Sequence, residues 1–157
     1  MSENSDFKDM FKALNTCRVR YLVAGAHAVM HYAEPRYTKD IDIWVEPTAD
    51  NANRVWRAME MFQAPLEDVT EKDFRNPIMV YQIGIAPNRI DIMMSVPGVR
   101  FSTAWRSRKR STYGGVPINI MSLGDLLKAK ARAGRPQDLL DVANLKLASK
   151  KTRSRKP

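Results

Sequence analysis

Two aspartates separated by a single residue mark the segment Asp40-Ile41-Asp42-Ile43. Side chains alternate between the two faces of a strand, so Asp40 and Asp42 are predicted to share one face, and Ile41 and Ile43 the other. Two neighbouring carboxylates repel each other and contribute nothing to the stability of a strand. A divalent cation such as Mg²⁺ removes this repulsion because it prefers hard oxygen ligands. The alternative is an edge strand that carries two solvated acids.

A third aspartate lies in the apolar segment Arg89-Ile90-Asp91-Ile92-Met93. The same alternation directs Ile90 and Ile92 to the core and Asp91 to the opposite face. If this strand lies beside the first one, three carboxylates converge. Three acids can hold two metal ions about 4 Å apart, an arrangement used for in-line displacement at phosphorus. The alternative is an isolated aspartate that faces solvent.

A glycine follows the apolar segment Leu22-Val-Ala24, and the chain then continues as a helical pattern from Ala26. A strand that ends at Gly25 and turns into a helix exposes backbone N–H groups and directs the positive end of a helix dipole forward. This arrangement is typical of a phosphate site. Glycine after a strand is common, so the signal depends on its position just before the paired acids.

The chain has 157 residues, which predicts one domain, over residues 1–149. The single Cys17 cannot form an internal disulfide, which indicates a reducing compartment. The sequence has neither an apolar run of membrane-spanning length nor the pattern of a signal peptide, so a cytoplasmic location without a membrane partner is expected.

The net charge is +9, and five of the positive charges lie in the final segment, 150–157. This segment has no apolar side chain to pack, so it is predicted to be a disordered basic tail. Such a tail can bind a polyanion such as RNA through phosphate contacts, or it can serve only solubility.

Helical spacing, strand-like runs and turn residues predict alternating helices and strands. The predicted strands are 20–24, 40–46, 78–86, 89–94 and 116–120. The predicted helices are 6–14 with Asp6 as N-cap, 26–33, one after Thr48 or Asp50, 101–108, one after Ser122 and 137–148. The predicted fold is therefore α/β or α+β, with a small mixed sheet of about four to five strands, flanking helices and a helical C-terminal end.

Together these motifs resemble the nucleotidyltransferase superfamily, the fold shared by DNA polymerase beta, CCA-adding enzymes and the minimal nucleotidyltransferases. The family pattern is a strand, a glycine pair, a helix, Asp-x-Asp and a third acid on a later strand. The chain has Gly25-Ala26, thirteen intervening residues, Asp40-Ile41-Asp42, and then Asp91.

A small bacterial branch related to the abortive-infection type toxins is more similar still, over about residues 19 to 147. Its members share an Arg and a Thr before the acidic strand. They also share a C-terminal pattern of L-x-D-L, a Lys, A-G-R-P-x-D and a final Asp. The corresponding segments here are VAGAHAVMHYAEPRYTKDIDIWV, Leu123-Gly-Asp-Leu-Leu, Lys130, and Ala133-Gly-Arg-Pro-Gln-Asp138 with Asp141.

The resemblance implies roles for individual residues. Asp40, Asp42 and Asp91 would be the catalytic carboxylates and would hold two Mg²⁺ ions, with Mn²⁺ as the alternative metal. Six further residues would contact the NTP: Gly25, Ala26, Arg36, Thr38, Lys130 and Asp138. Three of these six residues also have an ordinary interpretation: Arg36 as a surface salt bridge, Lys130 as a solvated lysine and Asp138 as an acid favoured in the first turn of a helix.

The resemblance implies an enzyme that moves a nucleoside monophosphate from an NTP to a hydroxyl of RNA, protein or a small molecule and releases pyrophosphate. It also implies a possible place in a toxin–antitoxin pair, with a cognate antitoxin as partner. The chain departs from the family at Ala26, where a lost hydroxyl removes one phosphate hydrogen bond, worth about 1 kcal/mol. The second hypothesis is therefore an inactive domain of the same fold that binds nucleotide, RNA or a partner protein.

Two other features are weaker. His27 and His31 are spaced for one helical face, but zinc would need further Cys or His ligands that the sequence does not supply. Trp44 shares the predicted face of Asp42, where it either packs at the sheet or stacks on a base.

Overall fold

The computed structural model describes the backbone of residues 3–155 and the side chains of residues 3–151. Helices and strands are interleaved along the first 120 residues, and two helices follow. The helices are α1 (Ser5–Thr16), α2 (Gly25–Tyr32), α3 (Ala49–Phe62), α4 (Phe101–Arg106), α5 (Leu123–Ala133) and α6 (Pro136–Arg155), with a 3₁₀ turn at Glu71–Arg75. The strands are β1 (Tyr21–Ala24), β2 (Asp40–Val45), β3 (Val80–Ile83), β4 (Arg89–Met93), β5 (Lys109–Tyr113) and β6 (Val116–Ile120).

The six strands form one mixed sheet in the order β3-β4-β2-β1-β6-β5. β2 runs parallel to β4 and antiparallel to β1, while β1 runs parallel to β6. The two edge pairs, β3 with β4 and β5 with β6, are antiparallel. β2 and β4 therefore lie side by side in the interior of the sheet, which confirms the mixed α/β architecture.

The core is built from the apolar positions that the alternation predicted. Ile41 and Ile43 of β2 and Ile90 and Ile92 of β4 are all buried, together with much of α1, β1 and α3. α1 packs beside α3, and α5 packs beside α6. Burial of this apolar surface, at about 25 cal/mol per Å², is the main force that holds the two acidic strands in place.

The sheet has six strands rather than the predicted four to five, because β5 was not predicted from the sequence. Its sequence, KRSTY, is charged and polar, and most of it is at least partly exposed at the edge of the sheet. Charged side chains on an edge strand discourage pairing with other chains, so such a strand lacks the apolar alternation by which strands are recognised.

Helix boundaries also differ in detail from the sequence prediction. Asn4, rather than Asp6, caps α1, and its side chain accepts hydrogen bonds from the amides of Asp6 and Phe7. Thr48 caps α3 and Ser122 caps α5, as predicted.

The last helix is longer than the predicted 137–148. It continues through the first six residues of the segment that was predicted to be disordered, to Arg155. Lysine and arginine are good helix formers, and no Gly or Pro interrupts this stretch, so the backbone has no local reason to leave the helix. Residues 156 and 157 lie outside the described part, and the division into a domain and a tail stays a prediction. Over residues 3–155, no helix combines the length and the apolar character that crossing a bilayer would require.

Candidate active site

The three predicted carboxylates meet on one face of the sheet. In the parallel pairing of β2 with β4, Asp42 lies opposite Asp91, and Asp40 opposite Arg89. One carboxylate oxygen from each of Asp40, Asp42 and Asp91 lies within 4.8 Å of the others. We refer to these three residues as the acidic triad. Asp91 is buried and the other two are half-buried, so the triad forms a compact and partly desolvated group of oxygen ligands.

One guanidinium compensates part of this negative charge. Arg89 Nε donates to Asp91 Oδ1 over 3.0 Å, and Arg89 Nη2 donates to Asp91 Oδ2 over 3.1 Å. Arg89 Nη2 also contacts Asp40 Oδ2. These contacts raise the pKa of Arg89, chiefly through the hydrogen bond to Asp91. Asp42 receives no direct hydrogen bond from this arginine among the contacts of the described residues.

Asp42 carries the largest uncompensated cost in the triad. Burial, followed by repulsion from Asp40 and Asp91, raises its pKa to about 7, despite the opposing charges of Lys130 and Arg89. Burial also raises the pKa of Asp91, against the lowering effect of the hydrogen bond from Arg89. A cation bound between these carboxylates would favour their charged forms and oppose both shifts.

The turn from β1 into α2 approaches the triad closely at Gly25. Gly25 begins α2 with φ +60°, in the left-handed region that L side chains rarely adopt. A Cβ atom built at this position would lie 2.1 Å from Asp42 Oδ2, which is far inside contact distance. Glycine is therefore required both by the backbone conformation and by the space beside Asp42. Ala26 follows in the first turn of α2 and is buried.

A cavity of about 410 Å³ opens beside Gly25 and Asp42, and we call it the glycine-side cavity. Its walls combine apolar residues, including Met93, Val96 and Leu126, with charged side chains from α5, α6 and the turn between them. Among those charged side chains are Lys130 and Arg135. The cavity thus places apolar surface and positive charge next to the carboxylates.

The cations of this wall belong to a second group of charges, which we call the C-terminal ionic network. Lys130 Nζ lies 3.3 Å from Asp138 Oδ1 and 3.1 Å from Asp141 Oδ2. Arg135 Nε donates to Asp138 Oδ2 over 2.6 Å. The fifth member, Arg36, donates from Nε and Nη2 to the two oxygens of Asp141, over 3.1 and 3.0 Å.

The two aspartates of this network are buried, and both have pKa values below the ordinary value of an aspartate. Asp138 is 1% exposed and Asp141 is 0% exposed. Burial alone would raise the pKa of both, but hydrogen bonds from Arg135 to Asp138 and from Arg36 to Asp141, together with Lys130, lower the pKa of both instead. The interpretation of Lys130 as a solvated lysine is therefore wrong, because the residue is buried and paired twice.

Arg36 and Thr38 lie outside the glycine-side cavity, whereas Lys130 lines it. Arg36 forms the salt bridge that was its alternative interpretation, although the partner is the buried Asp141 rather than a surface acid. The Thr38 hydroxyl donates to the backbone carbonyl of Asp40 over 3.2 Å and so helps to fix the entry into β2. Neither residue lines the glycine-side cavity.

Arg36 and Thr38 instead line a cavity of about 570 Å³, which we call the N-terminal cavity because residues 3–7 form one of its walls. Asn88, which directly precedes Arg89, lies on another wall. The charge of Asp40 also reaches His27 in this cavity: burial lowers the pKa of His27, and Asp40 acts against that shift. The N-terminal cavity therefore lies near Asp40 without having a triad residue in its wall, whereas Asp42 itself lines the glycine-side cavity.

Trp44 does not face either cavity. It is 1% exposed and packs edge-to-face against Phe101, with ring centroids 5.1 Å apart. This contact supports packing rather than base stacking. His27 contacts Phe7 edge-on, and His31 does the same with Tyr32, and neither belongs to a group of possible metal ligands among the described residues.

Sequence reasoning overlooked Arg89 as a functional residue, and it quoted Arg135 and Asp141 only as parts of a motif. Arg89 lies two residues before Asp91 on the same strand, so the alternation that placed Asp91 could also have placed Arg89 beside it. The contact of Arg36 with Asp141 joins residues 105 positions apart, and no local pattern indicates it.

The sequence matches no protein-family model and no curated protein sequence. Two solved structures are nevertheless similar to this chain. The lincosamide antibiotic adenylyltransferase LnuA, bound to lincomycin, has a TM-score of 0.56 and 14% identity, with 91% of this chain and 96% of that chain covered. The antibiotic-resistance factor ANT(2'')-Ia has a TM-score of 0.60 and 14% identity, with 94% and 83% covered. At this level of identity the likeness concerns the fold alone, and the chain has the nucleotidyltransferase fold.

Proposed function

We propose that the protein is a metal-dependent nucleotidyltransferase that moves a nucleoside monophosphate from an NTP to an acceptor hydroxyl. The observation that carries this proposal is the convergence of Asp40, Asp42 and Asp91 within 4.8 Å, with only Arg89 in direct contact among the described cations. A module that only binds polyanions has no use for clustered carboxylates, which would repel its ligand. The nucleotidyltransferase fold agrees with the proposal but does not by itself carry it.

The triad suits a divalent metal. All three side chains offer oxygen, the ligand type that Mg²⁺ prefers, and Mn²⁺ accepts the same donors. Burial and repulsion from Asp40 and Asp91 raise the pKa of Asp42 more than Lys130 and Arg89 lower it, and a bound cation would oppose that net shift. When bound, Mg²⁺ would neutralise phosphate charge and increase the acidity of the acceptor hydroxyl.

The glycine-side cavity is the proposed site of the NTP. The backbone N–H groups at Gly25 and Ala26 would bind phosphate oxygens, and the beginning of α2 adds the positive end of a helix dipole. Lys130 already lowers the pKa of Asp42, so its charge acts at the triad even while it is paired with Asp138 and Asp141. The apolar walls of the cavity would contact the base and the sugar.

In the proposed reaction, the acceptor oxygen forms a bond to the α-phosphorus while the bond from that phosphorus to the oxygen bridging to the β-phosphate breaks. Pyrophosphate leaves with the electron pair of the broken bond, and the proton of the acceptor hydroxyl passes to Asp91. Asp40, Asp42 and Asp91 would hold the metal ions, and the buried sheet keeps the three carboxylates in a fixed arrangement.

An inactive binding domain is the second candidate, and Ala26 is the observation that favours it. A serine there would supply a hydroxyl to the phosphates, and the buried methyl group of Ala26 cannot. Placement in a toxin–antitoxin pair, an antitoxin partner and a cytoplasmic location are further proposals that rest on the sequence resemblance and composition.

The test is incubation of the purified protein with each α-labelled NTP, Mg²⁺, total RNA and cell lysate. Asp42→Ala is the inactive comparison, and Asp9→Asn, an exposed acid on α1, is the matched control. Label on any acceptor with the wild type and with Asp9→Asn, but not with Asp42→Ala, would support transfer. Binding of Mg²⁺ and NTP without any labelled product would favour the inactive domain instead.

A further inference from the structure

A group of basic residues lies at the β5 edge of the sheet, outside both cavities. Four of the five residues 106–110 are Lys or Arg, and they lead from the end of α4 into β5, the last strand in the sheet order. Among the described residues, none of these four cations takes part in a salt bridge. The segment therefore carries positive charge that no ion pair neutralises.

The indole ring of Trp105 holds two guanidinium groups beside this segment. The Cζ atom of Arg108 lies 3.8 Å from the ring centroid, and the Cζ atom of Arg20 lies 5.5 Å from it. Arg108 Nη1 also donates to the backbone carbonyl of Trp105 over 2.8 Å, whereas its Nε is buried without a hydrogen-bond partner within the described part of the chain. A cation–π contact attracts a guanidinium but leaves its charge in place. Arg108 is thus positioned with an uncompensated charge and one unused donor.

The alternation of β5 places a further arginine on the same side. Tyr113 contacts two phenylalanines of α1, so the positions that alternate with it, including Arg110, face away from α1. Arg110 is exposed, and its charge acts on the neighbouring guanidinium: burial, followed by the charges of Arg110 and Arg20, lowers the pKa of Arg108. We call Arg20, Trp105, Arg108 and Arg110 the basic edge.

The acids near the basic edge do not cancel its charge. Glu46 lies 3.5 Å from Arg20, whose side chain is still 49% exposed. Asp125 is buried and accepts a hydrogen bond from Ser107 over 2.7 Å. Glu3 lies at the far end of β5, where a lysine of α1 lies beside it. Within the described part of the chain, the three guanidiniums of the basic edge therefore share one contacting acid, Glu46.

The spacing along β5 fits the repeat of a nucleic-acid strand. Residues two apart on a strand are separated by about 6.6 Å, because each residue advances the strand by about 3.3 Å. This separation is comparable with the distance between successive phosphates of a nucleic-acid strand. Arg108, Arg110 and Thr112 follow one another at this interval, and the exposed Thr112 adds a hydroxyl donor. Each guanidinium can bind phosphate oxygens through two parallel hydrogen bonds.

We propose that the basic edge binds the sugar–phosphate backbone of a nucleic-acid strand. The exposed positions of β5 are Lys109, Arg110 and Thr112, and none of them is apolar. Protein–nucleic acid interfaces are polar and strongly positive, whereas a stable protein partner would need apolar surface at the centre of its contact. The strand is held and not chemically changed, so this inference does not depend on the proposed function.

The experiment measures the binding of two fluorescein-labelled single strands, an oligouridylate and an oligothymidylate of equal length, to the full chain by fluorescence anisotropy. The affinity of the wild type should fall steeply between about 50 and 200 mM salt, because phosphate contacts release counterions. Arg108→Gln with Arg110→Gln should weaken binding about tenfold at the lower salt concentration. It should also reduce the slope of log K against log salt by about 1.4, since each phosphate contact on a single strand contributes about 0.7.

Matched variants separate the basic edge from the general charge of the protein. Arg75→Gln with Arg132→Gln removes two exposed arginines elsewhere and should keep the wild-type salt slope. The basic residues of 150–157 are present in every variant, so they contribute equally to each measurement. Because Arg108 packs on Trp105, urea unfolding checks that its variant is folded. Arg110→Glu changes only an exposed side chain and should weaken binding by at least about tenfold.

The results divide clearly. Binding of either oligonucleotide that is lost with the arginines of β5 supports the proposal, and the tighter of the two identifies the strand as RNA or DNA. No binding by the wild type, an unchanged affinity and salt slope in the β5 variants, or equal losses in the control pair would overturn it. Tighter binding of a labelled polyglutamate peptide than of either oligonucleotide would also overturn it and assign the basic edge to an acidic protein.

Discussion

The acidic triad and the C-terminal ionic network are both built around buried or half-buried aspartates, yet their charge balance is opposite. In the triad, three carboxylates share one guanidinium, and the pKa values of Asp42 and Asp91 are raised. In the network, two carboxylates are surrounded by three cations, and the pKa values of Asp138 and Asp141 are lowered. Cations outnumber carboxylates in the network, whereas the three carboxylates of the triad outnumber the one guanidinium that contacts them.

This difference separates a structural role from a binding role. A buried acid with matched partners ties elements together, as Asp141 ties the loop before β2 to α5 and α6. A buried acid without matched partners costs stability, and it persists only where some other requirement holds it in place. The following predictions test whether the two groups behave as different kinds of site.

The largest expected effect concerns activity. Asp42→Ala should reduce nucleotidyl transfer by about 10⁴-fold, or about 5 kcal/mol of transition-state stabilisation, because it removes a proposed metal ligand. Its folding stability in metal-free buffer should not fall, since the substitution also removes repulsion from Asp40 and Asp91. Transfer rates and urea unfolding of the same preparation measure both. A large loss of stability together with activity would show that Asp42 is structural.

In the C-terminal ionic network, we expect the removal of an aspartate to reduce folding stability. Asp141→Asn should destabilise the protein by about 3–5 kcal/mol, because Arg36 and Lys130 would be left partly buried without their carboxylate. The free energy of unfolding from urea titration is the measurement. Asp9→Asn is the control and should change it by no more than about 0.5 kcal/mol. An Asp141→Asn variant of unchanged stability would remove the distinction between the two groups.

Metal binding sharpens the comparison further. Mg²⁺ at about 100 times its dissociation constant should stabilise the wild type by about 2.7 kcal/mol, because it binds the folded state only. Asp42→Asn should lose this gain, and an exposed substitution such as Asp9→Asn should keep it. Thermal unfolding with and without Mg²⁺ measures the effect. Equal stabilisation of Asp42→Asn would place the ion elsewhere.

Acidic pH should reduce the contribution of the C-terminal ionic network to folding stability. The folded-state pKa of Asp141 lies below its unfolded value, so its contribution to stability is present above about pH 4 and is lost as the pH falls through the folded pKa. The gap in unfolding free energy between the wild type and Asp141→Asn should therefore narrow on acidification below pH 4. Urea titrations across this range check it, and a constant gap would contradict the ion pairing.

The smallest effect concerns the glycine turn. Ala26→Ser should increase NTP affinity about fivefold, or about 1 kcal/mol, by adding a hydroxyl beside the backbone amides that would hold the phosphates. Equilibrium binding of each NTP measures it. Ala49→Ser, at an exposed position on α3, controls for the generic effect of the substitution. No change, or weaker binding, would show that the phosphates lie elsewhere.

The predictable part of the site is the part that strand alternation governs. Asp40, Asp42 and Asp91 interrupt runs of isoleucine, and a period of two is enough to assign them to one face. Their meeting could be proposed only on condition that the strands are neighbours, and the β2–β4 pairing supplied that condition. Gly25 could also be predicted from local sequence, because it stands between an apolar strand and a helical pattern.

The unpredictable part depends on contacts between distant segments. Nothing near Arg36 in the sequence indicates Asp141 as its partner, and Lys130 reads as one of several lysines on a basic helix. β5 was missed because its charged residues lack the apolar pattern that burial imposes. The cavities likewise arise from several elements at once, so no segment alone predicts them.

The register of β4 against β2 also determines where the gene can change length. Asp42 faces Asp91 because the two strands are aligned residue by residue from Asp40 with Arg89 to Trp44 with Met93. A codon deleted at residue 89 or 90 would move every following side chain of β4 to the other face, so an isoleucine would face the carboxylates and the aspartate would enter the core. The turns that lead into and out of these strands carry no such constraint. Natural variation in length should therefore concentrate in those turns and be absent from the two acidic strands.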